Sequence, residues 1–144
     1  MEILPEFVSI SVYKKPTEDE ERVLLSVKNT LPDMNFSIKK ETAPSYWGGK
    51  IGYFTVRLSK NSAKRVFTKL VKEMEGLHQS WIKERLDVEN SELYIRVDKQ
   101  LAFLGTLKLS RGDNVIHFRF SFPGYLNITR ENVKEAIREM RNSR

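Results

Sequence analysis

The stretch ELYIRVDKQLAFLGTLKLSRGDNVIHFRFSF, residues 92–122, decides how the rest of the chain is read. At its start Leu93, Ile95 and Val97 alternate with Tyr94 and Arg96. At its end Ile116, Phe118, Phe120 and Phe122 alternate with His117, Arg119 and Ser121. An apolar period of two is the mark of a strand with one face buried and the other wet. The run between them, Leu101 to Leu109, is more continuously apolar and predicts a further strand, with Gly105 at a bulge or a close backbone approach. Ser110 to Asn114 has turn chemistry, Gly112 being free to take positive φ. The whole predicts a three-stranded meander, apolar inside, with Arg96, Lys99, Lys108, Arg111 and Arg119 along its edges.

Outward from this meander, Phe7 to Tyr13 alternates as a first strand. Thr17 and Glu20 stand at capping-box spacing and predict a helix start. The carboxylates at 18–21 then occupy the first turn, where they complement the helix dipole, and this accounts for them without a metal. Val23, Leu24, Val27 and Leu31 form the apolar stripe, and Pro32 closes the helix. Met34, Phe36 and Ile38 predict a second strand and Ile51 to Leu58 a third. The connection 41–50 sets Tyr46 and Trp47 beside a glycine pair and Lys50. Flat rings and an ammonium on a loop are candidates for stacking bases and neutralising phosphate. The alternative is a hairpin loop with Trp47 folded back on the core.

Ser59 is the expected cap of a helix whose stripe is Ala63, Val66, Phe67, Leu70, Val71 and Met74. At 100° per residue Arg65, Lys69 and Lys72 fall opposite that stripe. Residues 60–74 carry five basic side chains against one acid, whereas a merely solvated helix mixes signs. Gly76 is expected to end this helix, and Leu77, Trp81, Ile82 and Leu86 predict a shorter one. Thr129 is the expected cap of a terminal helix, with Lys134 and Arg138 on its basic flank. The order predicts one α+β domain over residues 1–144, a mostly antiparallel sheet of five to six strands with helices on one face.

The 144 residues carry a net charge of +6 and no cysteine. Thiolate metal sites and cysteine nucleophiles are thereby excluded, and a cytoplasmic location is expected. No apolar run approaches the length of a membrane span. Basic excess points to a polyanion partner. For catalysis the supply is thin: His78 and His117 have no company suggesting a metal cage or a nucleophile–base pair, and Asp98 and Asp113 are accounted for at a strand end and a turn. No catalytic residue, metal or cofactor is expected.

TEDEERV at 17–23, WGGKI at 47–51 and RVDKQLAFLGTLKLSRGDNVIHFRF at 96–120 together resemble an archaeal RNA-binding family whose members are labelled predicted exosome subunits. The resemblance implies a fold similar to the ribosomal protein that binds 5S rRNA, with kinship to double-stranded-RNA-binding domains. The helix, three strands and helix read from Ser59 onward agree with that kinship, while the insertion 76–90 departs from it. So does Leu-Ala-Phe after Gln100, where the family leads one to expect a smaller residue and a tyrosine. The resulting expectation is a non-catalytic protein that binds structured or double-stranded RNA through phosphates, as an accessory to RNA processing. Lys50, Arg65, Lys69, Lys72, Lys99, Lys108, Arg111, Arg119, Lys134 and Arg138 are its candidate contacts, with Tyr46 and Trp47 for stacking. The alternative is a protein-interaction module in an RNA-processing or ribosomal assembly, with exosome or ribosomal proteins as partners and homodimerisation open.

Overall fold

A computed structural model describes residues 2–46, 48–77 and 79–142. Trp47 and His78 lie outside the described residues. The elements run β1 (Phe7–Lys14), α1 (Glu20–Thr30), β2 (Lys39–Pro44), β3 (Lys50–Ser59), α2 (Lys60–Glu73), α3 (Gln79–Arg85), β4 (Leu86–Asp87), β5 (Glu92–Asp98), α4 (Lys99–Phe103), β6 (Val115–Ser121), a 3-10 turn (Gly124–Leu126) and α5 (Arg130–Asn142). One six-stranded sheet has the order β2-β3-β1-β6-β5-β4, and every neighbouring pair is antiparallel. The α+β class and the antiparallel sheet are as expected from the sequence.

Register explains the core. Leu58, Val8, Phe120 and Leu93 stand side by side across four strands. So do Val56, Ile10, Phe118 and Ile95, then Phe54, Val12, Ile116 and Val97. All but the half-buried Leu58 are buried. Against these rows lie the stripes of α2 (Ala63, Val66, Phe67, Leu70, Val71), α1 (Val23, Val27) and α5 (Val133, Ile137). Phe67 meets Phe120 and Phe122 edge-on, with ring centroids 5.1 and 5.8 Å apart.

Several local expectations give way to tertiary chemistry. Leu101–Leu109 is not a strand, since β5 and β6 pair directly. Asp98 instead accepts from the Leu101 N–H at 2.8 Å and starts α4. Gly105, at φ +92, ends it: its N–H donates to Ala102 O and that of Thr106 to Leu101 O, the paired closing bonds of a Schellman cap. The chain then runs along the outer edge of β5, Asp98 N–H donating to Lys108 O and Ser110 N–H to Arg96 O.

Met34, Phe36 and Ile38 do pack against the core, but outside any strand; the ladder begins at Lys39. Pro44 pairs with Lys50, so the 41–50 connection is a hairpin with a five-residue turn, 45–49. Asp19, not Thr17, caps α1, its carboxylate accepting from the Glu21 N–H, while the Glu18 carboxylate accepts from the Lys15 N–H and from Lys99. Ser59 occupies the cap position of α2 without a side-chain bond. Thr129 and Asn132 cap α5 reciprocally, Asn132 N–H donating to Thr129 Oγ1 and Thr129 N–H to Asn132 Oδ1. The helix, three strands, helix order expected after Ser59 is interrupted by α3 and α4, and β1 of the first half sits within the same sheet.

Candidate nucleic-acid interface

With the apolar rows turned to the helices, the alternate residues of each strand share the other face of the sheet. In the observed register Arg57, Ser9, Arg119 and Tyr94 form one row. Lys39, Thr55, Ser11, His117 and Arg96 form the next, and Glu41, Tyr53 and Tyr13 a third. Arg85, the last residue of α3, brings its charge within reach of His117. Small side chains at 9, 11 and 55 keep the middle of this face low.

Its charge is poorly compensated. Arg119 Nε lies 3.2 Å from Glu92 Oε2 as an ion pair, without hydrogen-bond geometry, since that oxygen has no hydrogen-bond partner among the described residues. Lys39 pairs with Glu41 at 3.3 Å. Among the described residues Arg57, Arg85 and Arg96 pair with no carboxylate. Arg96 Nη2 donates to Gly112 O at 2.9 Å, yet the Nε atoms of both Arg85 and Arg96 are buried with no hydrogen-bond partner. Arg85 and Arg96 both act on His117, and cations gathered on one face without paired carboxylates raise the local potential and favour an anion there. Burial of Tyr94 raises its phenol pKa, with Glu92 and Asp87 adding to it, so the ring is a neutral donor at neutral pH.

His117 senses the same field. Burial first, then the charges of Arg96 and Arg85, push its pKa below 6.5. The unfolded chain therefore takes up this proton before the folded one does, and stability falls as pH drops from about 6.5 toward the folded value. Urea midpoints at pH 7.5 and 5.5 should differ less in His117→Gln than in the parent; an equal difference would assign the acid sensitivity to other groups.

The other expected contacts do not converge on this face. Of the expected contacts among the described residues, Arg119 stands in these rows. Arg65, Lys69 and Lys72 lie on the far side of α2, away from the sheet; Arg65 Nη2 donates to Asp33 O at 3.0 Å and Lys69 pairs with Glu73 at 3.2 Å. Lys72 borders a hollow with Glu135 and Glu139, while Lys134 and Arg138 ride on α5, Arg138 paired to Glu135. Arg111 forms an ion pair with Glu84 at 3.2 Å. Lys108 lies on the outer edge of β5, Lys50 opens β3, and Tyr46, 89% exposed, is at the hairpin turn.

Lys99 is a plain correction. It is 5% exposed, and its Nζ donates to Tyr13 O at 2.7 Å and Glu18 Oε1 at 2.8 Å, so it is a structural tie and not a phosphate contact. The neighbouring hollow of about 530 Å³ between α1 and α4 has its charges largely paired, Lys99 with Glu18 and Arg22 with Asp19. Among the described residues no group of three or more His, Asp or Glu side chains could hold a metal ion, and no helix is long and apolar enough to cross a membrane.

Reading along the chain did not single out Arg57, Arg85 and Tyr94 as candidates and left Arg96 at an edge. The signal was there for three of them, in the polar half of each strand's alternation. What was lacking was the strand order that makes them neighbours.

A family model described as RNA binding matches residues 7–122. The chain is 29% identical over 143 residues to an RNA-binding protein of Pyrococcus abyssi, spanning 92% of this chain and 90% of that one. A solved structure from Archaeoglobus fulgidus superposes with a TM-score of 0.72 at 32% identity, over 94% of this chain and 99% of that one. A second, from Methanothermobacter thermautotrophicus, gives 0.75 at 27% identity, over 93% and 98%.

Proposed function

The chain belongs to this RNA-binding family, and from that premise we propose that it binds RNA on the open face of its sheet without catalysing a reaction. The observation that carries the reading is the set of three arginines, Arg57, Arg85 and Arg96, that stand on one face with no carboxylate partner among the described residues. Phosphates supply the counter-charge this face lacks, and release of condensed ions supplies much of the affinity. Binding of that kind is steeply salt-dependent and weakly sequence-specific. Such a protein holds RNA for other factors, which fits an accessory component of RNA processing, exosome-associated as the sequence resemblance implies.

The test compares two charge-removal variants of the full chain, with circular dichroism to verify folding. Arg57→Gln, Arg85→Gln and Arg96→Gln together should weaken RNA binding by about 10- to 100-fold near 100 mM salt. The slope of log affinity against log salt should fall by about 2–3. Arg65→Gln, Lys69→Gln and Lys72→Gln together should change the slope by less than about 1. The reverse ranking would place the interface on the helical layer. Absence of any complex at low salt would sink RNA binding itself.

A further inference from the structure

Charge explains why a polyanion would settle on this face, and the aromatic residues among the charges say more about its form. Tyr94 is 39% exposed and Tyr13 58% exposed; Tyr13 lies against Tyr53, with ring centroids 4.8 Å apart and planes tilted by 40°. Tyr94 lies two rows along and two strands across from Tyr13. Ordinary strand spacings put the two platforms roughly 16 Å apart. Between them lie Ser11, His117 and Arg96, two small or flat side chains and one cation. Arg119 flanks Tyr94 on the neighbouring strand.

We infer that the open face takes an unpaired stretch of RNA, with one base on Tyr94, another on the Tyr13–Tyr53 pair, and the linking phosphates over Arg96 and His117. This rests on the reading of the sheet face as the RNA site and narrows it to a substrate class, single-stranded in place of the duplex expected from the sequence. The reason is geometric. In a duplex the bases are already stacked on one another and offer their edges, so exposed rings on a low, open surface gain nothing from it. Splayed bases offer their faces, and each base stacked on an aromatic ring contributes sequence-tolerant affinity. Ser9, Ser11 and Thr55 leave the space above the sheet clear for such bases.

Fluorescence anisotropy with a labelled 12-nucleotide RNA of mixed sequence, free and annealed to its complement, tests this on the full chain. The single strand should bind at least about 10-fold tighter than the duplex at equal salt, the gain expected from two stacked bases. Tyr94→Leu and Tyr13→Leu should each weaken single-strand binding about five-fold or more, with the salt slope and duplex affinity unchanged. Tyr94→Phe keeps the ring and should restore most of the single-strand affinity lost in Tyr94→Leu. A duplex that binds as tightly as the single strand, or tyrosine variants that leave single-strand binding unaltered, would overturn the inference while the arginine site stands. Failure of both RNAs to bind would remove the arginine site as well.

Discussion

Phe67→Ala is expected to lower the folding free energy by about 3–5 kcal/mol, read as a shift in urea midpoint at constant slope. Phe67 is 1% exposed and is the side chain by which α2 meets the end of the sheet, edge-on to Phe120 and Phe122. Truncation removes its buried area and leaves a void between a helix and a sheet held in place by their other contacts, Val66 and Leu70 among them. Phe67→Leu should cost much less, because most of the volume stays. Below the midpoint RNA affinity should be unchanged, since Phe67 points away from the open face. A loss under about 1 kcal/mol would mean that α2 is not seated on these strands.

The second large effect concerns Lys99. Glu18→Ala is expected to destabilise the fold by about 3 kcal/mol, because it strands an ammonium that is 5% exposed with only the Tyr13 carbonyl for company. Lys99→Met should cost less, as the partly exposed Glu18 carboxylate can hydrate once its partner is gone. Denaturant titration of both variants measures the difference, and a larger loss in Lys99→Met would reverse the account of which charge is trapped.

The pair also has a pH signature. Burial works against the Glu18 charge, but the Lys99 and Lys15 hydrogen bonds and charges win, so its pKa lies below 4.5. Its contribution is therefore present above pH 4.5 and lost as pH falls through the lower folded value. That window is more acidic than the one set by His117. In neither variant should RNA affinity change while the protein is folded.

How much of this was legible from the residues follows from what kind of signal each part carries. Strands β1, β3, β5 and β6 were readable because each alternates with a period of two and buries one face. The same rule misread Met34, Phe36 and Ile38, which alternate and face the core without a ladder, since a pattern reports burial and not hydrogen bonding. Leu101–Leu109 misled because a short apolar run does not distinguish strand from helix; Asp98 and Gly105, its two punctuation marks, carried the answer.

The site was harder. Positive charge along α2 is visible locally as five basic residues in one helix, and that visibility drew attention to the helical layer. Arg57, Arg96 and Arg119 are single residues on three strands distant in sequence, and only the order β3-β1-β6-β5 makes a patch of them. Lys99 looked like any surface lysine, because nothing near it in sequence announces that Glu18 and the Tyr13 carbonyl will meet it.

Strand β1, first in chain order among the described strands, occupies the middle of the sheet between β3 and β6. Its first neighbour, β3, follows only after α1 and β2, and Val8, Ile10 and Val12 acquire their second only when Phe120, Phe118 and Ile116 have been synthesised. Until then a nascent chain carries an unclosed apolar seam with an open hydrogen-bonding edge, and the long loop that must close is entropically costly. The middle of the sheet therefore closes through a pairing of Val8 with Phe120, distant in sequence. Until that pairing forms, the open edge of β1 is a place for sticking to other chains.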